Sequence, residues 1–373
     1  MTEKEAFIVL NLLPKVGPVR IGRLLEGLGS ATEILSSRES TLKSFNGIGP
    51  DSAKAILNWQ SEVDLDRELA DVEKAGVSVL TIEDEEYPEH LRRIHAPPLV
   101  LYVLGEVAER DRHAVGVVGS RRATRYGLSM AKKFSFQLAS AGVTVVSGLA
   151  RGIDTAAHEA AIAANGRTIA VIGSGLLELY PPENKTLAKK ISGFGAVVSE
   201  FPMRYKPDRQ SFPQRNRIIA GWGEGVLVVE APGRSGALIT ADQALEQDRT
   251  VYAIPGPVDR ATSHGCNRLI QQGAKLVMDG SDIVEDMLSF GGAFEMKAAP
   301  GEETKGEIEA SMPVNLSGPE AKIFEVIGRD ETSVDEVFEI TGIAPGEASV
   351  ILMRLQMKGL VRQLAGGYYV RAK

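Results

Sequence analysis

The 373-residue chain is predicted to be α/β: a Rossmann-like, mostly parallel sheet domain flanked by a small N-terminal all-helical domain and a C-terminal winged helix. Three observations predict it. Between about residues 60 and 285, short β-branched runs end in glycine and alternate with helical patterns, as in a parallel sheet covered on both faces. Residues 1–58 carry helical periodicity only. Residues 286–315, DMLSFGGAFEMKAAPGEETKGEIEASMPVN, mix Gly, Ala, Pro and Glu without a period and read as a solvated linker. The expected organisation is a helical domain at 1–60, a sheet domain at 61–285, a linker at 286–315 and a winged helix at 316–373.

The N-terminal segment holds an internal echo. LPKVGPVR (13–20) and FNGIGPDSAK (45–54) both place a hydrophobic-glycine turn before a helix, and glycine there is expected to supply the positive φ of a tight helical hairpin. The pair is similar to a helix-hairpin-helix or SAM-like module, which often holds DNA phosphate through turn amides. A small helical interaction module has the same shape. Seven cations against six acids over this segment favour the latter, because phosphate binding needs unopposed charge.

The sheet domain repeats one grammar: HAVGVVGSRRATRYG (113–127), GVTVVSGLARGIDTAAHEAAI (142–162) and GRTIAVIGSGLLELYPPENKTLAKKI (166–191) each run strand, glycine turn, helix. GAVVSEFP, GEGVLVVEAPGRSGALITADQALEQ, TVYAIPG and AKLVMDGSDIV (195–284) add further strands. Ligands of such sheets lie outside the carboxyl ends of the strands. The turns at Gly119, Gly148, Gly173 and Gly233 fall at such ends, where backbone and helix N-termini favour anions. With Arg121 and Arg122 in the first turn and Arg151 in the second, a phosphate-bearing ligand is the inference.

No turn matches the dinucleotide fingerprint and no P-loop is present, so NAD and ATP are disfavoured and no cofactor is expected. Residues 204–217, RYKPDRQSFPQRNR, set Arg204, Lys206, Arg209, Arg215 and Arg217 against Asp208 alone, with Tyr205 and Phe212 interleaved. Cations that follow a backbone beside aromatic faces that stack bases suit a single nucleic-acid strand. A chain net charge of −7 argues against a basic coat, not against a basic groove. The lone Cys266 excludes an intrachain disulfide, and no Cys/His cluster has zinc spacing, so no metal is expected. No apolar run is long enough for a membrane span, and a soluble cytoplasmic protein without membrane insertion is the expectation.

These residues carry a resemblance. GVVGSR (116–121), SGLARGIDTAAH (147–158), GSGLLELYPPEN (173–184), SEFP (199–202), FPQRNRIIAG (212–221) and GRSGALITADQA (233–244) resemble the DNA-processing protein A (DprA/Smf) family over about 170 residues. The resemblance implies a binder of single-stranded DNA in natural transformation that protects incoming DNA, forms a homodimer through the Rossmann-like domain and loads the recombinase RecA. Carried over by position, its pocket comprises Gly119, Ser120, Arg121 and Arg122, then Ser147, Gly148, Arg151, Gly173 and Gly175, and finally Arg209, Phe212, Arg215, Asn216 and Arg217.

The rival is an enzyme. PGRSGALIT (232–240) is similar to the Pro-Gly-Gly-x-Gly-Thr-x-x-Glu signature of Rossmann-like phosphoribohydrolases of nucleoside monophosphates, with Arg234, Ala237 and Thr240 replacing the second glycine, the threonine and the glutamate. Without that acid a binder is expected, with no catalytic residue. Asp154 and His158 share a helix face, but Asp154 suits an N-cap. Glu230 could hold Arg217 or a backbone amide, Tyr180-Pro181-Pro182 shapes a turn, and His264 with Cys266 forms a covering loop. Beyond the linker, three amphipathic patterns and a hairpin turning at Gly366-Gly367 read as a winged helix. Its third helix offers Arg354 and Lys358, but seven basic against eight acidic residues favour a protein-interaction or auxiliary DNA role.

Overall fold

The computed structural model describes residues 1–290, 318–328, 332–344, 348, 351–352, 355–356, 360–364 and 368–371. Thr2 opens helix α1 (Glu3–Leu12) with a reciprocal cap: its hydroxyl accepts from the Glu5 amide while the Glu5 carboxylate accepts from the Thr2 amide. Helices α2 (Pro18–Leu28), α3 (Ala31–Ser36), α4 (Glu39–Lys43) and α5 (Pro50–Leu57) follow. α2 and α5 each begin at a proline, which lacks the amide a first turn leaves unpaired.

Both expected hairpins form, but Gly17 and Gly49 are extended N-caps. The positive φ falls two residues earlier, at 63° on Lys15 and 86° on Gly47. The true repeat is thus KVGP against GIGP, with Val16 and Ile48 both buried. Arg20 braces the two turns, donating to the carbonyls of Gly47 at 3.0 Å and Lys15 at 2.7 Å, and Arg23 donates to Asn46 O at 3.0 Å. With the Lys15–Asp51 and Lys43–Glu39 pairs, four of the module's cations are therefore engaged within it.

After α6 (Trp59–Glu62) and α7 (Leu65–Ala75), which Gly76 ends in the left-handed region, nine strands build one sheet. They are β1 (Ser78–Thr81), β2 (Val100–Gly105), β3 (Ala114–Val118), β4 (Thr144–Ser147), β5 (Thr168–Val171), β6 (Gly195–Ser199), β7 (Gly225–Val228), β8 (Thr250–Ala253) and β9 (Lys275–Leu276). Their order is β1-β2-β6-β5-β4-β3-β7-β8-β9. From β6 to β9 all pairs are parallel, while β1 and β2 add an antiparallel edge. The chain winds outward from β3 in both directions, so the switch point lies between β3 and β7.

Helices α8 (Glu89–Arg92), α9 (Arg125–Ser140), α10 (Ile153–Ala163), α11 (Lys185–Ile191), α12 (Ser211–Trp222), α13 (Gly236–Glu246), α14 (His264–Gln271) and α15 (Gly280–Phe290) accompany the sheet. Side-chain alternation along β3 feeds two cores: Val115 and Val117 pack with Phe134, Leu138 and Ile153, whereas Ala114 and Val118 pack with Ile218, Ile219 and Trp222. Phe7, Leu10, Ile21 and Leu24 of the N-terminal helices share a third core with Val100 and Tyr102 of β2.

Two boundaries differ from the sequence reading. Of the run 274–284 only Lys275–Leu276 is strand, and α15 continues to Phe290, covering the first five residues of the expected linker. The rest of that linker, 291–315, lies outside the described residues, as do Arg354, Lys358 and Gly366-Gly367. The described residues form two units, within Met1–Ala298 and Ala299–Lys373. In the second, α16 (Gly318–Val326) and α17 (Val334–Thr341) accompany the sheet β10-β12-β11 formed by β10 (Thr332–Ser333), β11 (Val361–Leu364) and β12 (Tyr368–Arg371). Ile323, Val337, Leu355 and Val361 lie in its core.

The left-handed turn yields a stability prediction. Lys15→Gly should stabilise the protein by about 1 kcal/mol, since a β-carbon in that region costs more than the exposed Lys15–Asp51 pair returns. Gly47→Ala should destabilise it by a similar amount, its β-carbon lying 2.9 Å from Arg23 Nη1. Thermal melts should move by roughly 2–4 °C in opposite directions; a fall with Lys15→Gly would refute the assignment.

Candidate nucleic-acid interface

A cleft opens along the carboxyl ends of β5, β4, β3 and β7. It has two adjoining lobes, of about 340 and 760 Å³, which share Arg121, Ala150, Phe212 and Arg215. The chain is turned into α12 by Asp208, whose carboxylate accepts from the amides of Gln210 and Ser211 at 2.7 Å and from the Tyr205 hydroxyl at 2.7 Å. Ser211 then donates to Gly173 O at 2.6 Å. The start of α12 is thereby tied to the end of β5, which sets Phe212 in the cleft.

The Arg121 guanidinium lies 4.9 Å from the centre of the Phe212 ring, a cation–π pairing that fixes a mobile side chain over an aromatic wall. Tyr180 lines the same lobe, its ring centre 6.0 Å from that of Phe212 at 56°. Cation and rings thus share one recess.

The floor is Arg215, 4% exposed. It donates to Val171 O at the end of β5, and Gly148 leaves the space it occupies: a β-carbon there would come within 1.9 Å of Arg215 Nη1. Burial pushes Arg215 down to about 10, against the attraction of Asp154, so it stays charged at neutral pH. Asp154 is also buried and accepts from the amides of Gly148 and Ala150 at 3.1 and 3.2 Å. Burial raises its pKa, while Arg215 and those amides oppose the rise. His158 bonds through Nδ1 to the Thr168 hydroxyl at 2.7 Å. That hydroxyl donates to Val145 O, so the ring is the donor. Burial, then Arg215, hold His158 down at about 3, hence neutral.

The structure brings together many of the expected residues but not all. Gly119, Ser120 and Asn216 line the larger lobe; Gly148, Arg151 and Gly173 line the smaller. Arg151 is also paired with Glu183, and Arg122 and Arg209 are exposed outside both linings. Three expectations are corrected. Ser147 is fully buried and its hydroxyl donates to Val117 O at 2.6 Å, joining β4 to β3. Gly175 packs beneath the next loop, where a β-carbon would meet Pro202 O at 2.1 Å. Arg217 is turned away into a buried pair with Glu200 at 2.6 and 2.9 Å. In addition, the Gly148 amide is already engaged by Asp154.

The basic stretch is correspondingly less basic. Arg204 meets Asp71 at 2.5 and 2.7 Å, Arg215 faces Asp154, and Arg217 meets Glu200. The N-cap of α10 is Gly152 rather than Asp154. Glu230 holds the amide and hydroxyl of Thr124 at 2.8 and 2.9 Å, not Arg217. His264 and Cys266 lie in helix α14 rather than in a covering loop: Cys266 is buried, with burial pushing its thiol up to about 12, and His264 bonds Val258 O. Sequence reasoning missed Tyr180 as a wall and Ser235, Gly236 and Thr240 at the start of α13. An aromatic directly before the paired prolines was the available signal for the first.

A Rossmann-like sheet with a basic, aromatic-walled cleft at its carboxyl edge defines the class, and comparison with known proteins gives the family. Residues 78–288 match the family model of DNA recombination-mediator protein A, and residues 308–367 that of the DprA winged helix domain. The chain is 34% identical over 398 residues to Protein Smf of Synechocystis sp., covering 99% of each. It superposes on the X-ray structure of DNA processing protein A from Streptococcus pneumoniae with a TM-score of 0.69 at 35% identity, covering 77% of this chain and 98% of that one. For DNA processing protein A from Helicobacter pylori, whose structure describes a single-stranded DNA binding mode, the TM-score is 0.52 at 26% identity, covering 58% and 98%. The chain belongs to the DNA processing protein A (DprA/Smf) family.

Two buried groups near the cleft have measurable consequences. Arg217→Ala leaves the Glu200 carboxylate buried and unpaired, and should lower the unfolding free energy by about 3 kcal/mol in urea titrations; an unchanged midpoint would refute the structural role. For His158, a folded-state pKa of about 3 lies below the usual 6.5. Its contribution to stability is complete above pH 6.5 and is lost as pH falls towards 3. His158→Gln should flatten stability against pH across that window by up to about 1.4 kcal/mol per pH unit, and an unaltered slope would show that the ring is not held neutral.

Proposed function

We propose that this cleft binds a single strand of DNA without sequence preference, and that the protein protects incoming DNA during natural transformation and passes it to RecA. The observation that carries the reading is the Arg121 guanidinium at 4.9 Å over the Phe212 ring, with the charged Arg215 in the same recess. An exposed base can stack on Phe212 or Tyr180 while its phosphate meets the arginines; a duplex keeps its base faces covered. The family membership and the single-strand binding described for the Helicobacter pylori relative support the same reading. Homodimerisation through the Rossmann-like domain and a cytoplasmic location belong to the proposal.

The activity is binding rather than hydrolysis. Ala237 and Thr240 of α13 line the larger lobe, where the phosphoribohydrolase signature has a hydroxyl residue and an acid. Thr240 is buried, with its hydroxyl at 3.4 Å from Gly236 O. The site retains an anion recess without the acid that glycosidic cleavage uses.

The test is fluorescence anisotropy with labelled single-stranded and duplex oligonucleotides of matched length over a salt series. Wild type should prefer the single strand. Arg121→Ala and Phe212→Ala should each weaken it by about tenfold or more, and Arg121→Ala should also shallow the logarithmic salt slope by about 0.7. Equal affinity for duplex, or normal binding by both variants, would sink the proposal. RecA loading on bound strands is then measured by filament assembly.

A further inference from the structure

We infer that the DNA path continues past the switch point into a third recess, over β3, β7 and β8, where Tyr126 stacks a base and Arg260 meets a phosphate. This rests on the single-strand reading above. The recess is about 750 Å³ and is lined by Thr124, Tyr126, Pro255, Arg260, Thr262 and Ser263, with Glu230 at its inner side. The turn after β3 joins it to the cleft, Gly119–Arg121 lining the larger lobe and Thr124 and Tyr126 this recess.

A single exposed aromatic is ordinary; Tyr126 is distinguished by its setting. It is 43% exposed, yet its hydroxyl donates to Pro255 O at 2.9 Å. The ring is held at its rim while much of it meets solvent, as a stacking platform requires. Arg260 is exposed on the same recess and has no ion pair among the described residues. Glu230 keeps a negative charge on this recess, but it is buried and both its carboxylate oxygens accept from Thr124, whereas Arg260 is exposed. Thr262 and Ser263 add neutral donors.

The sheet supplies the scale. Five neighbouring strands, β5-β4-β3-β7-β8, carry the three recesses. At roughly 4.8 Å between strands the edge runs about 19 Å, at most about six nucleotides at 3.4 Å each. The Phe212 end accounts for part of that length, and the Tyr126 end for the remainder.

The test uses the full chain and oligothymidylates of about 4 and about 12 nucleotides. Tyr126→Ala and Arg260→Ala should each weaken the longer oligomer about tenfold and leave the shorter one unchanged. Only Arg260→Ala should shallow the salt slope, by about 0.7, and Tyr126→Phe, which keeps the ring but loses its tether to Pro255 O, should fall between wild type and Tyr126→Ala. Normal binding of both lengths by both variants, while Arg121→Ala binds neither, would overturn the extension and leave the cleft reading intact. Equal losses at both lengths would assign Tyr126 to shaping the turn and overturn it too. A changed oligomeric mass with unchanged DNA affinity would make the recess an interface between copies, with the same result. Normal binding by both Arg121→Ala and Phe212→Ala would remove the cleft reading and this inference together.

Discussion

The guanidinium of Arg215 is held where the turns after β4 and β5 meet the start of α12. Withdrawing a cation from water costs several kcal/mol, so its surroundings must be fixed around it. Gly148 leaves room, Val171 offers a carbonyl, Asp154 supplies the counter-charge and His158 stays uncharged. Asp154 in turn ties down the amides of Gly148 and Ala150. One buried cation therefore decides the residue types of its neighbouring turns, and the cleft inherits a floor whose guanidinium is already fixed by these partners.

Helix α12 delivers that cation and the aromatic wall together. Phe212, Arg215, Asn216 and Ile219 all line the larger lobe, and their spacing of three, four and seven residues is that of one helical face. Arg217 lies two residues from Arg215, about 200° around the helix, and so meets Glu200 instead. The tether from Ser211 to Gly173 O sets the helix's rotation against the sheet.

Much of this was legible in the sequence. Alternating β-branched runs and helical patterns are local signals, and they point to the parallel sheet and its carboxyl-edge turns, those of Gly119 and Arg121 among them, whereas Phe212 comes from the basic-aromatic run and the family resemblance. What escaped was long-range. Within residues 204–217 only Asp208 is visible as a counter-charge, whereas Asp71, Asp154 and Glu200 reach the same arginines from distant segments. Arg217 could have been separated from Arg215 by applying the helical period to FPQRNR. Ser147 and Gly175 could not, because a hydroxyl joining two strands and a glycine under a crossing loop look the same in sequence as pocket residues. The antiparallel edge β1–β2 was missed because its short strands lack the glycine-to-helix turn that marked the others.

The charge pairing also explains how a chain with a net charge of −7 can present a basic cleft suited to the proposed single strand. Were all the cations of 204–217 exposed, attraction would be spread over a loop and would draw any polyanion, duplex included. Instead Arg204, Arg215 and Arg217 each face an acid, Lys206 and Arg209 are exposed outside the cleft linings, and the cleft's own cations are Arg121, Arg151 and the buried Arg215 beside two aromatic walls. Arg151 shares its charge with Glu183, which leaves the Arg121–Phe212 corner as the cleft's strongest feature. Binding there needs a ligand that brings an unstacked ring and an anion into one narrow recess. A single strand offers both at every nucleotide; a duplex offers the anion alone.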